Sequence, residues 1–165
     1  ILVFNSCATL KVQVDEESII PFPEQKTISH SFYLLGDGGL SPKDSVASAI
    51  NKFKEELNRA KKLSTAIFLG DNIYPKGLPK KENEQRASAE HQLNVQTEAV
   101  KDFKGKTIFI PGNHDWYSDG LEGLKRQEKY IEDKLGKNTF LPENGCPIKK
   151  VNISDSTVLI IIDIV

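Results

Sequence analysis

Three short apolar runs in this chain each break off at a glycine next to an acid or amide. Phe32-Tyr33-Leu34-Leu35 runs into Gly36-Asp37, and Ile67-Phe68-Leu69 runs into Gly70-Asp71. Thr107-Ile108-Phe109-Ile110 runs into Pro111-Gly112-Asn113-His114-Asp115. Runs of this length, rich in β-branched and aromatic residues and bounded by glycine, read as strands. Packing alone rarely explains polar groups at a strand end, because each loses hydration if buried unpaired. Three strand ends that each deliver an oxygen ligand point to a metal site.

The segments between these runs are long enough for helices. Ser41-Pro42 reads as a cap followed by proline at the first helical position. From there Val46, Ala49, Ile50, Phe53, Leu57 and Ala60 recur at helical spacing. Pro75, Gly77 and Pro79 make residues 72–79 a loop. A second helix is predicted over about 82–103, with Ala89, Leu93, Gln96, Val100 and Phe103 on one side and Gly105 ending it. A third is predicted over about 121–135, carrying Leu121, Leu124, Ile131 and Leu135 and stopping at Gly136. Residues 138–155 read as a loop with a short strand at 148–153, and 157–162 as a fourth main strand. This β-α-β-α-β-α-β order predicts an α/β fold with a parallel sheet and helical crossovers. Ligands of such sheets bind beyond the carboxyl ends of the strands. Asp37, Asp71 and Asn113-His114 are therefore expected on one edge.

At 165 residues the chain is long enough for one domain with its own core. A net charge of −1 gives no case for nucleic-acid binding or a polybasic membrane surface. No apolar run reaches the ~18 residues of a bilayer span. Residues 1–26 read as a lipoprotein-signal remnant and tether: an apolar run leads through Ser6 to Cys7, and an acidic, Pro-rich stretch follows. On that reading Cys7 carries a lipid, the protein is exported to the periplasm or cell surface, and the anchor is its only membrane contact. The alternative is an ordinary first strand with a buried cysteine. Cys146, in Gly145-Cys146-Pro147, is either a free buried thiol or paired elsewhere; the two cysteines do not make a disulfide framework. The chain starts without Met and ends in apolar sequence, so residues 27–165 are expected to be the first part of a longer domain.

Asp37 and Asp71 each follow a glycine, which lets the backbone turn sharply and a ligand approach closely. Two carboxylates facing one point repel unless one keeps its proton or a cation lies between them. Hard cations take such oxygens, Asn113 adds an amide oxygen, and His114 is a ligand or a proton donor.

Gly70-Asp71-Asn72-Ile73-Tyr74 followed by Gly112-Asn113-His114-Asp115 resembles the calcineurin-like metallophosphoesterase superfamily. The usual first motif of that superfamily is Asp-x-His, whereas here it is Asp37-Gly38-Gly39. Tyr74 stands three residues after Asp71, and this pairing is similar to the purple acid phosphatase variant, where a tyrosinate replaces the histidine and favours trivalent iron.

The resemblance implies a four-layer α/β/β/α sandwich, of which this chain holds the first sheet and its helices. It implies two metal ions, Fe3+ with Fe2+, Zn2+ or Mn2+. Asp37 and Tyr74 would hold the first ion, Asp71 would bridge, and Asn113 would hold the second. His114 would be the catalytic residue beside the phosphate, with Asp115 behind it orienting the loop. Phosphomonoesters would be hydrolysed by an in-line metal-activated hydroxide. A phosphodiesterase or nucleotidase of the same fold, and a lipid-anchored binding protein without catalysis, are the alternatives. The later histidine ligands of the superfamily have no counterpart here, since His30 and His91 match no ligand motif. This chain alone is therefore expected to be inactive. Trp116 and Tyr117 are packing residues or line the substrate cleft.

Overall fold

The computed structural model describes residues 27–163; the expected tether and Cys7 lie outside them. Strands β1 (Ser31–Leu35), β2 (Ser64–Phe68) and β3 (Lys106–Phe109) form a parallel sheet in the order β1-β2-β3. Helix α1 (Ser48–Asn58) crosses from β1 to β2, and α2 (Arg86–Val100) crosses from β2 to β3. One turn of helix, α3 (Asn113–Trp116), and then α4 (Leu121–Leu135) follow β3. A hairpin of β4 (Ile148–Ser154) and β5 (Thr157–Ile162) completes the described chain.

The two faces of the central strand organise the packing, because successive strand residues point to opposite sides. Phe68 points toward the helices, stacks on Phe109 at 4.1 Å between ring centroids, and meets the ring of Phe53 edge-on. Leu57 of α1, Leu93 and Val100 of α2, and Leu124 and Ile131 of α4 fill the rest of that layer. Ile67 and Ile108 point the other way, against Leu141 and the hairpin residues Val151 and Ile161. All of β2 is buried, as a central strand covered on both faces must be. The molecule is thus mixed α/β, with helices on one face of a parallel sheet and an antiparallel hairpin on the other. Phe32 and Leu34 of β1 and Val158, Ile160 and Ile162 of β5 stay exposed. Among the described residues no helix is long and apolar enough to cross a membrane.

Four sequence expectations are corrected. The strand at 157–162 does not extend the parallel sheet but pairs antiparallel with β4. The place beside β3 is taken by Thr139-Phe140-Leu141, whose backbone bonds both sides of Phe109 before Pro142 ends the pairing. Only a tight turn separates β4 from β5, too short for a parallel crossover.

The helix expected from Ser41-Pro42 starts instead at Ser48. Ser41 Oγ accepts the N–H of Ala47, six residues on, and His91 takes the carbonyls of Pro42 and Ser45. The serine therefore closes a loop rather than capping a first turn. The helix expected over 82–103 is shorter, Arg86–Val100, because the Asn83 side chain and backbone hold residues 83–86 in turns. Cys146 is an exposed free thiol, not a buried one.

Candidate metal centre

Two of the three strand ends turn on an aspartate in the left-handed backbone region. Asp37 has φ 54° and Asp71 has φ 52°. Asp tolerates this region better than most residues, and held backbone strain of this kind clusters at functional sites. The third strand end comes close to the second through glycine: a Cβ on Gly112 would overlap both Oδ1 and the backbone N of Asp71. Gly39 does the same between the first two loops, for its Cβ would lie 2.6 Å from Ile73 N. The strand ends therefore meet backbone to backbone, which places their side chains in one cluster.

Tyr74 Oη lies 2.6 Å from Asp37 Oδ1 and 2.7 Å from Asp71 Oδ2. A phenol has a single proton, so it can donate to only one of these oxygens at a time. The two carboxylates, Asp37 first and then Asp71, hold the phenol proton well above its ordinary titration range. Asp71 Oδ1 accepts the backbone N–H of His114 at 3.1 Å, tying the second loop to the third. The His114 ring sits 4.4 Å from the Tyr74 ring. Its Nδ1 lies 2.7 Å from Pro75 O; a carbonyl only accepts, so Nδ1 carries hydrogen and Nε2 is the atom able to meet a ligand. Asn113 donates through Nδ2 to Tyr117 Oη at 2.7 Å, leaving Oδ1 as its available oxygen. A cavity of about 150 Å³ beside Tyr74 is lined by Pro75, Lys76, Pro79, Gln85 and Ser88.

Asp115 is fully buried. Its carboxylate accepts from Gly112 N at 2.8 Å, from Gln127 Nε2 at 2.9 Å, and from both the backbone and side-chain N–H of Asn72. Burial pushes its carboxyl up to about 6, against those donors. It joins the second and third loops to α4.

The structure thus brings Asp37, Asp71, Tyr74 and His114 together. Asn113 is next in the chain to the cluster, but its amide bonds Tyr117. Among the described residues no three His, Cys, Asp or Glu side chains converge on a point. The cluster has two carboxylates and a phenol, and Asn113 beside it keeps an amide oxygen available. Three oxygens, of Asp37, Asp71 and Tyr74, lie close around one proton, and carboxylate and amide oxygens are of the kind hard cations take, so these residues fit such an ion.

Residues that sequence reasoning did not single out are the glutamines of the helices. Gln92 bonds the backbone of Tyr74, Gln96 bonds Asn72 O, and Gln127 bonds Asp115. All three are buried. The available signal was an amide at a helix position that helical spacing assigns to the core, as Gln96 is. His30 bonds Thr65 Oγ1 away from the cluster. Trp116 donates to Asp163 after β5, and Tyr117 lies 5.0 Å from the His114 ring.

Comparison of the chain with family models, with curated proteins and with solved structures gives no match.

Proposed function

We propose that this chain carries the first half of a dinuclear-metal phosphoric ester hydrolase, most like a purple acid phosphatase acting on phosphomonoesters. The observation that carries the reading is the triangle of Tyr74 Oη, Asp37 Oδ1 and Asp71 Oδ2, with oxygens 2.6 and 2.7 Å from the phenol. A tyrosine three residues after Asp71 and within hydrogen-bond distance of both carboxylates supports a tyrosinate ligand beside a shared aspartate. In this reading Asp37 and Tyr74 would hold one ion, Asn113 would hold the other, and Asp71 would serve both. When bound, the metal pair supplies a nucleophile at neutral or acid pH and offsets charge on the phosphoryl oxygens. His114 has its Nδ1 hydrogen on Pro75 O, so as the imidazolium it would carry a second proton on Nε2 and could give that proton to the leaving oxygen, ending as the neutral ring. Asp115 keeps that loop seated on Asn72.

The same reading gives the exposed apolar residues of β1 and β5 a partner, the second sheet of a four-layer metallophosphoesterase sandwich. It also fits an exported protein held to a membrane through Cys7. The test is the protein expressed from its complete reading frame and loaded with iron and zinc. A ferric ion on Tyr74 gives a visible charge-transfer colour that Tyr74→Phe removes, together with phosphatase activity on a simple aryl phosphate. A colourless iron protein, or colour that survives Tyr74→Phe, overturns the reading.

A further inference from the structure

The Gln92 side chain bonds Tyr74 as a neighbouring strand would. Its Oε1 accepts Tyr74 N–H at 2.7 Å and its Nε2 donates to Tyr74 O at 2.9 Å. Gln96, four residues along the same helix, donates to Asn72 O at 2.7 Å and to the Gln92 carbonyl at 2.9 Å. The two amides hold the residues on either side of Ile73, which is itself fully buried. Gln96 also lies under the first loop, where a Cβ on Gly38 would come 2.6 Å from Gln96 Oε1. Next to Gln92, His91 holds the carbonyls of Pro42 and Ser45 at 2.9 Å each. One polar stripe of α2 thus grips both loops that supply Asp37, Asp71 and Tyr74.

An apolar residue could pack at position 92 with no amide to satisfy. A buried amide costs least when its hydrogen bonds are made, and the Gln92 side chain makes both of its bonds to one residue, while Gln96 Oε1 has no partner among the described residues. Tyr74 lies in no strand or helix, its N–H otherwise reaches only Gly39 O, at 3.4 Å, among the described residues, and the residue is half-buried. We infer that Gln92 is a positioning residue, fixing the Tyr74 backbone so that the phenol stands between Asp37 and Asp71. The inference rests on the metal-centre reading above and adds to it a residue that touches neither metal nor substrate.

The test is Gln92→Met, which keeps side-chain length and removes both bonds, in the protein from its complete reading frame. Three measurements are made: the ferric–tyrosinate band, iron affinity, and hydrogen exchange of the Tyr74 amide in the metal-free protein. The band is expected to move, and iron affinity to fall about 10–100-fold. The amide is expected to exchange roughly tenfold faster, the equivalent of one hydrogen bond. If circular dichroism shows that Gln92→Met does not fold, Gln92→Glu carries the same test: it keeps the acceptor and turns the donor into an oxygen facing the Tyr74 carbonyl. A wild-type iron protein with no band overturns the metal reading, and the positioning role with it. A wild type with the band, whose band, affinity and amide exchange all survive the substitution, overturns the positioning role alone.

Discussion

The carboxylate of Asp115 accepts both the backbone and the side-chain N–H of Asn72, at 3.1 Å each and 43 residues away in the chain. This pair staples the loop after β2 to the loop after β3. Asp115→Ala leaves Asn72 N, Asn72 Nδ2, Gly112 N and Gln127 Nε2 without their acceptor inside the protein. An unsatisfied buried donor costs about 1–3 kcal/mol, so a loss of about 3–5 kcal/mol is expected. That corresponds to a fall in melting temperature of roughly 10 °C at this chain size. Urea unfolding checks it, and a loss under about 0.5 kcal/mol, the range of an ordinary surface change, would show that the staple carries no stability.

The same carboxyl gives a pH dependence of definite sign. Burial raises it from 3.8 to about 6 in the fold, despite the donors around it. A group raised on folding adds stability that is fully present below its unfolded value and is lost as pH climbs through its folded value. Its share, about 3 kcal/mol in full, is therefore mostly present near pH 4 and gone by pH 7. Asp115→Asn cannot titrate. Relative to that variant the wild type is expected to lose about 2–2.5 kcal/mol between pH 4 and pH 7 in urea unfolding. A difference that stays flat, or grows with pH, would contradict the burial argument.

Two strand-end glycines separate crowding from conformation. A Cβ on Gly112 would overlap Asp71, whereas one on Gly36 would meet nothing within 4 Å. Gly112→Ala is expected to force the second and third loops apart, costing about 2–3 kcal/mol, and to lower the metal content of the loaded protein. Gly36→Ala is expected to stay within about 0.5 kcal/mol of wild type and to keep its metal. Equal effects from the two substitutions would mean that the loops do not depend on this close approach.

The strand ends were legible because period and punctuation coincide there: an apolar run of fixed length, then a glycine. The bounds of α4 and β5 also came straight from their apolar spacing and a following or preceding turn. What stayed hidden depends on partners distant in sequence. Ser41-Pro42 has the local form of a helix start, but His91, on another element, binds the carbonyls of Pro42 and Ser45. The direction of β5 was not in its composition, since an apolar strand reads the same in either orientation. It was decided by Phe140 taking the place beside Phe109 and by the short turn after Ser154. Gln92 escaped notice because an amide on a helix is commonplace; only its two bonds to Tyr74 give it a role. Asn113 shows the converse, for its motif marks it out, while the Nδ2 bond to Tyr117 that leaves Oδ1 available was not readable from the sequence.

Asp71 and His114 divide the work of the proposed site, and their substitutions should separate along that division. Asp71 has Oδ2 on Tyr74 Oη and Oδ1 on the His114 backbone, so it holds the cluster together and bridges the ions in the proposed site. Asp71→Ala is expected to release metal and to abolish phosphatase activity together. The His114 side chain bonds only Pro75 O among the described residues, so its removal leaves the oxygen cluster standing. His114→Ala is expected to keep iron and its colour while lowering kcat about 10²–10⁴-fold, the usual contribution of a placed proton donor. Metal analysis and turnover on the same preparations decide the matter. Loss of metal from His114→Ala would make it a ligand, and near-normal turnover of Asp71→Ala would remove the bridge from the proposal.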